Sequence, residues 1–269
     1  MTQPFSGNLF HHMDHTRFVG RTRVAYFSME IAISPEMPTY GGGLGILAGD
    51  TARAAAELDL PIVFVTLVSR AGYLRQELDA TGHQADAPDP WDPQLRARPL
   101  PAMVAVPIGE RAVWVRPWLY VLQCPTGGAV PILLLDTDIA ENDPDDRGIT
   151  GRLYGGDATL RLKQEIVLGI GGEMLLRALG FEIATYHLNE GHAALLALAL
   201  LRRYPQAASS PEGTFPMTCS RCGSAACSPP IRPWTQATTS SSTTWSTACS
   251  GISPIPPRCA VSAVKTRSI

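Results

Sequence analysis

The 269-residue sequence is short of charge. Asp, Glu, Lys and Arg make up 17% of it, against about a quarter in ordinary soluble domains. The 22 basic and 24 acidic residues leave a net charge of -2. A chain so near neutrality lacks the electrostatic footprint of a nucleic-acid binder, which needs clustered cations to neutralise phosphates. Long apolar runs are also missing: no stretch approaches the ~18 uninterrupted apolar residues of a membrane-spanning helix. Residues 1–20 hold scattered His and Arg and no apolar segment of the kind a secretory signal requires. A cytoplasmic chain with no nucleic-acid or membrane partner is expected, and 45% hydrophobic content suffices for one large core or two modest domains.

Other absences are local. No Leu follows Leu201, no His follows His192, and Glu212 is the one acid after Pro205. From Pro205 onward, 36 of 65 residues are Ser, Thr, Pro or Cys, too little apolar material for a core and no helical or strand period. Five of the six cysteines, Cys219, Cys222, Cys227, Cys249 and Cys259, fall in this stretch. Cys219 and Cys222 form a C-x-x-C pair, but Cys249 and Cys259 lack the spacing of a second ligand pair, which argues against zinc. A disulfide framework is disfavoured in a cytoplasmic chain. A Ser/Thr/Pro-rich disordered tail is the plain expectation for residues 205–269.

The preceding part is patterned. Val24 to Ser28 reads as a strand, Tyr40 to Gly45 as a glycine loop, and Ile46 to Leu58 as an Ala-rich helix. Pro61 to Val68 is a continuous apolar, β-branched run of the kind buried on both faces. Strand, loop, helix and strand make a βαβ unit and predict an α/β fold. Pro88 to Pro93 is turn-rich. Val104–Val106, Val113–Val121 and Val130–Leu135 read as strands separated by Gly109-Glu110 and Thr126-Gly127-Gly128. Arg161 to Leu179 reads as one long helix closed by Gly180, and His187 to Glu190 as a strand end leading into a helix from Gly191 to Arg203.

Two motifs could carry chemistry. Gly42, Gly43 and Gly45 allow a ligand to approach backbone N–H groups at a helix N-terminus, which favours an anion. The loop is neither a P-loop nor a full dinucleotide fingerprint, so a structural turn and a phosphate or sugar cradle both remain open. In His187-Leu188-Asn189-Glu190-Gly191-His192, the side chains of Asn189, Glu190 and His192 would project from a strand-to-helix turn. His187 and His192 are five apart, which disfavours helical zinc ligation, and hydrogen-bonding and functional roles both stay open. Arg161 and Glu165, at i and i+4, suit a solvated helix face, with an anionic cleft as the alternative for Arg161 and Lys163. Asp143, Asp145 and Asp146 suit a solvated turn better than a calcium loop.

Five ordered motifs resemble bacterial α-glucan (glycogen, maltodextrin) phosphorylases. They are Ala25-Tyr26-Phe27-Ser28-Met29-Glu30, Tyr40 through Asp50, Gly72-Tyr73-Leu74-Arg75-Gln76, Arg161-Leu162-Lys163-Gln164-Glu165 and His187 through His192. The resemblance spans residues 21–204. It implies the N-terminal Rossmann-like α/β domain of a two-domain glycosyltransferase-B fold, preceded by an extension at 1–20. The implied reaction is phosphorolysis of a terminal α-1,4-glucosidic bond to glucose 1-phosphate, with α-1,4-glucan and inorganic phosphate as partners and pyridoxal 5'-phosphate as cofactor. By resemblance, Gly42, Gly43, Leu44 and Gly45 lie against the glucosyl unit and phosphate, and Asn189, Glu190 and His192 line the substrate cleft. No catalytic, cofactor-binding or metal-binding residue is assigned.

After Tyr204 the resemblance stops. The family's Thr-His-Thr-Pro-Val…Gly-His segment and its second domain are not found, and Lys265, the only lysine after Lys163, sits in no matching motif. Back-translation of Cys227 to Ser246, read from the third base of the Cys227 codon, can give Phe-Thr-Thr-Asn-Thr-Pro-Val-Asp-Ala-Gly-His. A shift of reading frame between Arg203 and Thr218 therefore accounts for the tail, and the chain is expected to be a truncated, inactive phosphorylase N-terminal half without the cofactor lysine. The competing readings are a non-catalytic glucan-binding module and a sugar-nucleotide glycosyltransferase of the same architecture.

Overall fold

The structure, a computed structural model, describes residues 14–125 and 127–203. The tail at 205–269, with its cysteine pairs and the proposed frame shift, lies outside the described residues, as do residues 1–13 and Thr126. In chain order the elements are α1 (Thr16–Val19), β1 (Val24–Phe27), α2 (Gly43–Glu57), β2 (Ile62–Leu67), β3 (Arg75–Leu78), β4 (Gln84–Ala87), β5 (Arg98–Pro99) and β6 (Val104–Ile108). They continue with β7 (Arg111–Gln123), β8 (Ala129–Asp136), α3 (Pro144–Arg147), α4 (Ala158–Ile166), α5 (Gly172–Ala178), β9 (Thr185–Leu188) and α6 (Leu195–Arg203).

The main sheet runs β5-β7-β8-β2-β1-β9, with β6 also on β7. Strands β8, β2, β1 and β9 are mutually parallel, and β7 extends the sheet antiparallel to β8. Alternation along the strands sends side chains to two opposite cores. Ala25, Phe27, Val63, Val65, Leu67, Leu133 and Leu135 pack with Leu168, Leu175 and Leu176 on one face. Tyr26, Ile62, Phe64, Val130, Ile132 and Leu134 pack with Ala48, Ala52, Ala55 and Ala56 of α2 on the other. The mixed α/β expectation holds, with a mostly parallel central sheet. Phe18, inside the expected N-terminal extension, is also fully buried in the first core.

The long helix expected from Arg161 to Leu179 is interrupted. It starts earlier, at Ala158, where the Asp157 side chain accepts from the Leu160 N–H at 2.9 Å. It then widens into a π-helical turn over Val167–Gly171 before α5. A Cβ on Gly169 would stand 2.4 Å from the Leu196 backbone nitrogen, so α6 crosses the helix directly against its main chain, where the turn is wide. Gly180 does close the helix, at φ +84°.

Two other expectations change, and one element had not been expected. α2 begins at Gly43, inside the glycine loop, rather than at Ile46. The exposed hairpin β3–β4 has no apolar face and so left no period to read. Asp146 is not a solvated turn residue: it is buried and bound by Arg111 Nε at 2.8 Å and Lys163 Nζ at 3.6 Å, because an unpaired carboxylate at that depth would be too costly.

At the end of β8, the fully buried Asp136 accepts from Arg70 Nη2 at 2.6 Å and Trp118 Nε1 at 2.7 Å, and its second oxygen accepts from the Asp138 N–H at 2.9 Å. This ties the segment after β2 to the middle of β7 and the end of β8. The Gly169 crossing is directly testable. Gly169→Ala should lower stability by about 1–3 kcal/mol, since backbone must move to admit the methyl. Gly20→Ala, at φ -69° with open space around it, should be neutral or stabilising by up to about 1 kcal/mol. Urea midpoints of the two variants check this, and equal midpoints would mean that α6 does not rest on the π turn.

Candidate functional site

In a sheet of this kind polar groups gather beyond the carboxyl ends of the parallel strands, above all where neighbouring strands send their connections to opposite faces. Here that place lies between β1 and β9. The Asn189 N–H donates to the Phe27 carbonyl at 2.9 Å. Its side-chain amide donates to Ser28 Oγ at 3.1 Å, and the Ser28 hydroxyl donates to the Glu30 carbonyl at 2.7 Å. Asn189 is thus buried and joins the two strand ends.

Glu30, also buried, receives the glycine loop. Its Oε2 accepts from the Gly41 N–H at 2.5 Å and the Gly42 N–H at 3.1 Å. A Cβ on Gly45 would meet this oxygen at 2.8 Å and the Tyr40 Cβ at 2.4 Å, so the glycine at 45 serves packing. Around Gly42 and Gly43, by contrast, a Cβ would meet nothing within 4 Å, which leaves room for an approaching ligand. α2 starts at Gly43 with no side-chain cap, so its first-turn N–H groups keep their hydrogen-bonding capacity and the positive end of the helix dipole.

Tyr154 connects this loop to the other motif. Its hydroxyl donates to Glu30 Oε1 at 3.0 Å. Its ring lies 5.4 Å from the His192 ring and 6.3 Å edge-on from Tyr73, with the Arg161 guanidinium 4.8 Å from its centroid. Burial, and then the negative Glu30 beside it, push the Tyr154 phenol up, so it stays a donor. Burial, and then the Arg161 charge, hold His192 down, with Glu190 and Glu30 opposing. His187 is stacked on Tyr26 at 4.3 Å and is also held down by burial. Burial raises Glu165 against the opposing charge of Arg161.

Glu190 is exposed at φ 66° and ψ 176°, a region that only glycine occupies readily. The backbone is therefore strained at the centre of the motif, next to His192.

Of the expected site residues, Gly42, Gly43 and Leu44 border the opening, Gly45 and Asn189 are built into its floor, and His192 stands beside the Tyr154 ring. Glu30, Tyr73, Tyr154 and Arg161 complete the cluster. Glu30 and Tyr73 lay in recognised motifs, but Tyr154 lay in none, and no local period links residues 124 positions apart. Arg161 does not pair across a plain solvated face; it stacks on Tyr154. Lys163 points instead to the buried Asp146. The set offers aromatic faces, amide donors, a guanidinium and an exposed carboxylate, which suits a polyol and an anion. Ser28, the hydroxyl nearest the strand ends, already donates to a backbone carbonyl.

The strain and the imidazoles each make a prediction. Glu190→Gly should be neutral or stabilising by up to about 1 kcal/mol, because release of a strained φ outweighs the added chain entropy. Urea denaturation measures this, and a loss of more than about 1 kcal/mol would mean that the conformation carries no strain. Folding depresses the affinity of His187 for a proton. Above about pH 6.5 both states hold it neutral; below that the unfolded chain protonates first and stability falls. His187→Phe keeps a ring on Tyr26 and should lose less stability between about pH 7 and pH 5 than the parent; identical acid slopes would place the effect elsewhere.

No family model matches the chain. Individual proteins do. It is 45% identical over 193 residues to a glycogen phosphorylase of Mycobacterium tuberculosis, covering 67% of this chain and 22% of that protein. It is 43% identical over 178 residues to a maltodextrin phosphorylase of Thermococcus litoralis, with 64% and 21% covered. A glycogen phosphorylase of Aquifex aeolicus is 32% identical over 184 residues, with 65% and 26% covered. The chain thus spans about a fifth to a quarter of the length of these curated relatives. Over about two thirds of its own length, then, this chain is a homologue of the glycogen and maltodextrin phosphorylases.

Proposed function

We propose that residues 21–204 form the N-terminal α/β part of an α-1,4-glucan phosphorylase and supply one wall of its substrate cleft. The carrying observation is that the glycine loop and the His192 motif, in a chain 43–45% identical to named phosphorylases over about two thirds of its length, meet through Glu30 and Tyr154 at the strand ends. On this reading Gly42, Gly43 and Leu44 face the glucosyl unit and phosphate, which the open start of α2 favours electrostatically. Tyr154 and His192 present ring faces to the sugar, and Glu190 an acceptor for its hydroxyls. Asn189 and Gly45 keep the floor in place. A cytoplasmic location and a two-domain glycosyltransferase-B layout belong to the same proposal.

The relatives' family carries pyridoxal 5'-phosphate, which would supply phosphate-to-phosphate proton transfer. Among the described residues none fits it. The chain has two lysines, Lys163 and Lys265; Lys163 is spent on Asp146, and Lys265 lies outside the described residues. No step is assigned to that group, and this chain is proposed to bind glucan without turning it over, as a non-catalytic module would. A sugar-nucleotide transferase has no comparable support, since the similar proteins bear phosphorylase names.

The reading separates into two measurements. Electrophoresis of the full chain through glycogen-containing gel should retard it, and His192→Ala should reduce the retardation severalfold, with no glucose 1-phosphate released from maltoheptaose and phosphate. Mobility indifferent to glycogen would overturn the binding assignment. Sequencing the gene across the codons for Arg203 to Ser246 then decides the frame. A restored frame leading into a second domain predicts a cofactor absorbance band and glucose 1-phosphate release, whereas the present frame predicts neither.

A further inference from the structure

We propose that Glu30 is the positioning residue of this site, a buried carboxylate that fixes the glycine loop and the 152–156 turn to one point at the end of β1. The functional half of this inference rests on the phosphorylase reading; the clasp itself does not. Three donors from two distant segments converge on the one group: the Gly41 and Gly42 N–H on Oε2, and the Tyr154 hydroxyl on Oε1. Otherwise the loop is held by the Tyr73 ring against Gly41 and by the Ala32 N–H, which donates to the Gly45 carbonyl at 2.8 Å. Gly41, Gly42 and Gly43 are exposed, and a Cβ at Gly42 or Gly43 would touch nothing within 4 Å. No side chain caps α2. Hydrogen bonds to a charged acceptor are about twice as strong as neutral ones, so the carboxylate sets where the helix begins.

The same group anchors the opposite wall. Tyr154 sits at φ +52°, a conformation disfavoured for a bulky residue, and its hydroxyl bond to Glu30 retains it there. Through Tyr154 the carboxylate fixes the spacing between the first turn of α2 and the His192 ring, 5.4 Å beyond the phenol ring. Glycine at position 45 is what admits the carboxylate beneath the helix start. Glu30 therefore acts through Gly41, Gly42 and Tyr154, and touches no substrate itself.

The test uses the full chain labelled with 15N-glycine. Hydrogen exchange of the Gly41 and Gly42 amides is compared with that of Gly169 and Gly171, which report the core. In Glu30→Gln, of equal size but with an amide in place of the second oxygen, Gly41 and Gly42 should exchange at least about tenfold faster than any change seen in the core, the worth of a hydrogen bond to a charged group. Tyr154→Phe keeps both amide bonds and removes the far anchor, so it should give a smaller excess in the same direction; it also decides the matter if Glu30→Gln does not fold. No local excess in either variant would overturn the clasp. Titration with inorganic phosphate and with maltoheptaose, followed on Gly43 and Gly45, should show at least about tenfold weaker binding in Glu30→Gln. Unchanged binding would overturn the positioning role, whereas wild-type signals indifferent to both ligands would overturn the phosphorylase reading and leave the exchange rates to judge the clasp.

Discussion

A parallel sheet covered on both faces can place polar chemistry only beyond its strand ends, and most of this molecule follows from that constraint. β2 and β8 are buried along their whole length, and their side chains alternate between two apolar cores. Apart from side chains such as Thr66 inside β2 and His187 in β9, the polar groups that the parallel strands offer gather just past Phe27, Leu67, Leu135 and Leu188. There they appear as Ser28 and Glu30, Ser69 and Arg70, Asp136, and Asn189 and Glu190. Those that are buried must be partnered, and the partners come from neighbouring segments: Asp136 from Arg70 and Trp118, Ser28 from Asn189, Glu30 from the glycine loop and Tyr154. The satisfied row becomes a rigid floor on which a binding site can stand.

The legible features were those with a local physical signature. Two-sided burial makes β2 and β8 continuous apolar runs, a left-handed C-cap makes Gly180 a helix stop, and the Ala-rich face of α2 follows from its close approach to the sheet. What escaped was set by distant partners. The π turn exists because the α6 backbone meets Gly169, and nothing within the helix sequence announces that crossing. Asp146 reads as a turn acid until Arg111 and Lys163 arrive from β7 and α4. Hairpin β3–β4 has no buried face to leave a period. The site was legible as two separate motifs, but their junction was not, since Tyr154 belongs to neither.

Backbone strain has the same geography. Four non-glycine residues adopt positive φ among the described residues: Asp59, Ser69, Tyr154 and Glu190. Asp59 has an evident local compensation, since its carboxylate accepts from Arg21 at 2.7 Å and from the Ala129 N–H at 3.3 Å. Ser69, Tyr154 and Glu190 lie in segments at the carboxyl end of the sheet. Each costs about 1–3 kcal/mol where its environment does not compensate. The Ser69 carbonyl accepts from the Trp91 indole at 3.0 Å, and the Tyr154 hydroxyl donates to Glu30. Glu190 is exposed and no hydrogen bond of comparable kind holds its side chain among those described, so its conformation is imposed by its neighbours Asn189 and His192, one pinned to Ser28 and the other set beside Tyr154.

The protonation behaviour of the cluster completes the argument about its chemistry. Burial and Arg161 lower the proton affinity of His192 against the opposing Glu190 and Glu30, and burial and Glu30 raise that of Tyr154. Arg161 is a permanent cation, and Lys163 is engaged by Asp146. The surface thus combines donors, ring faces, the Arg161 cation and the exposed Glu190 carboxylate. On the phosphorylase reading proposed above, such a surface would serve as the part of the cleft wall that holds a polyol and an anion.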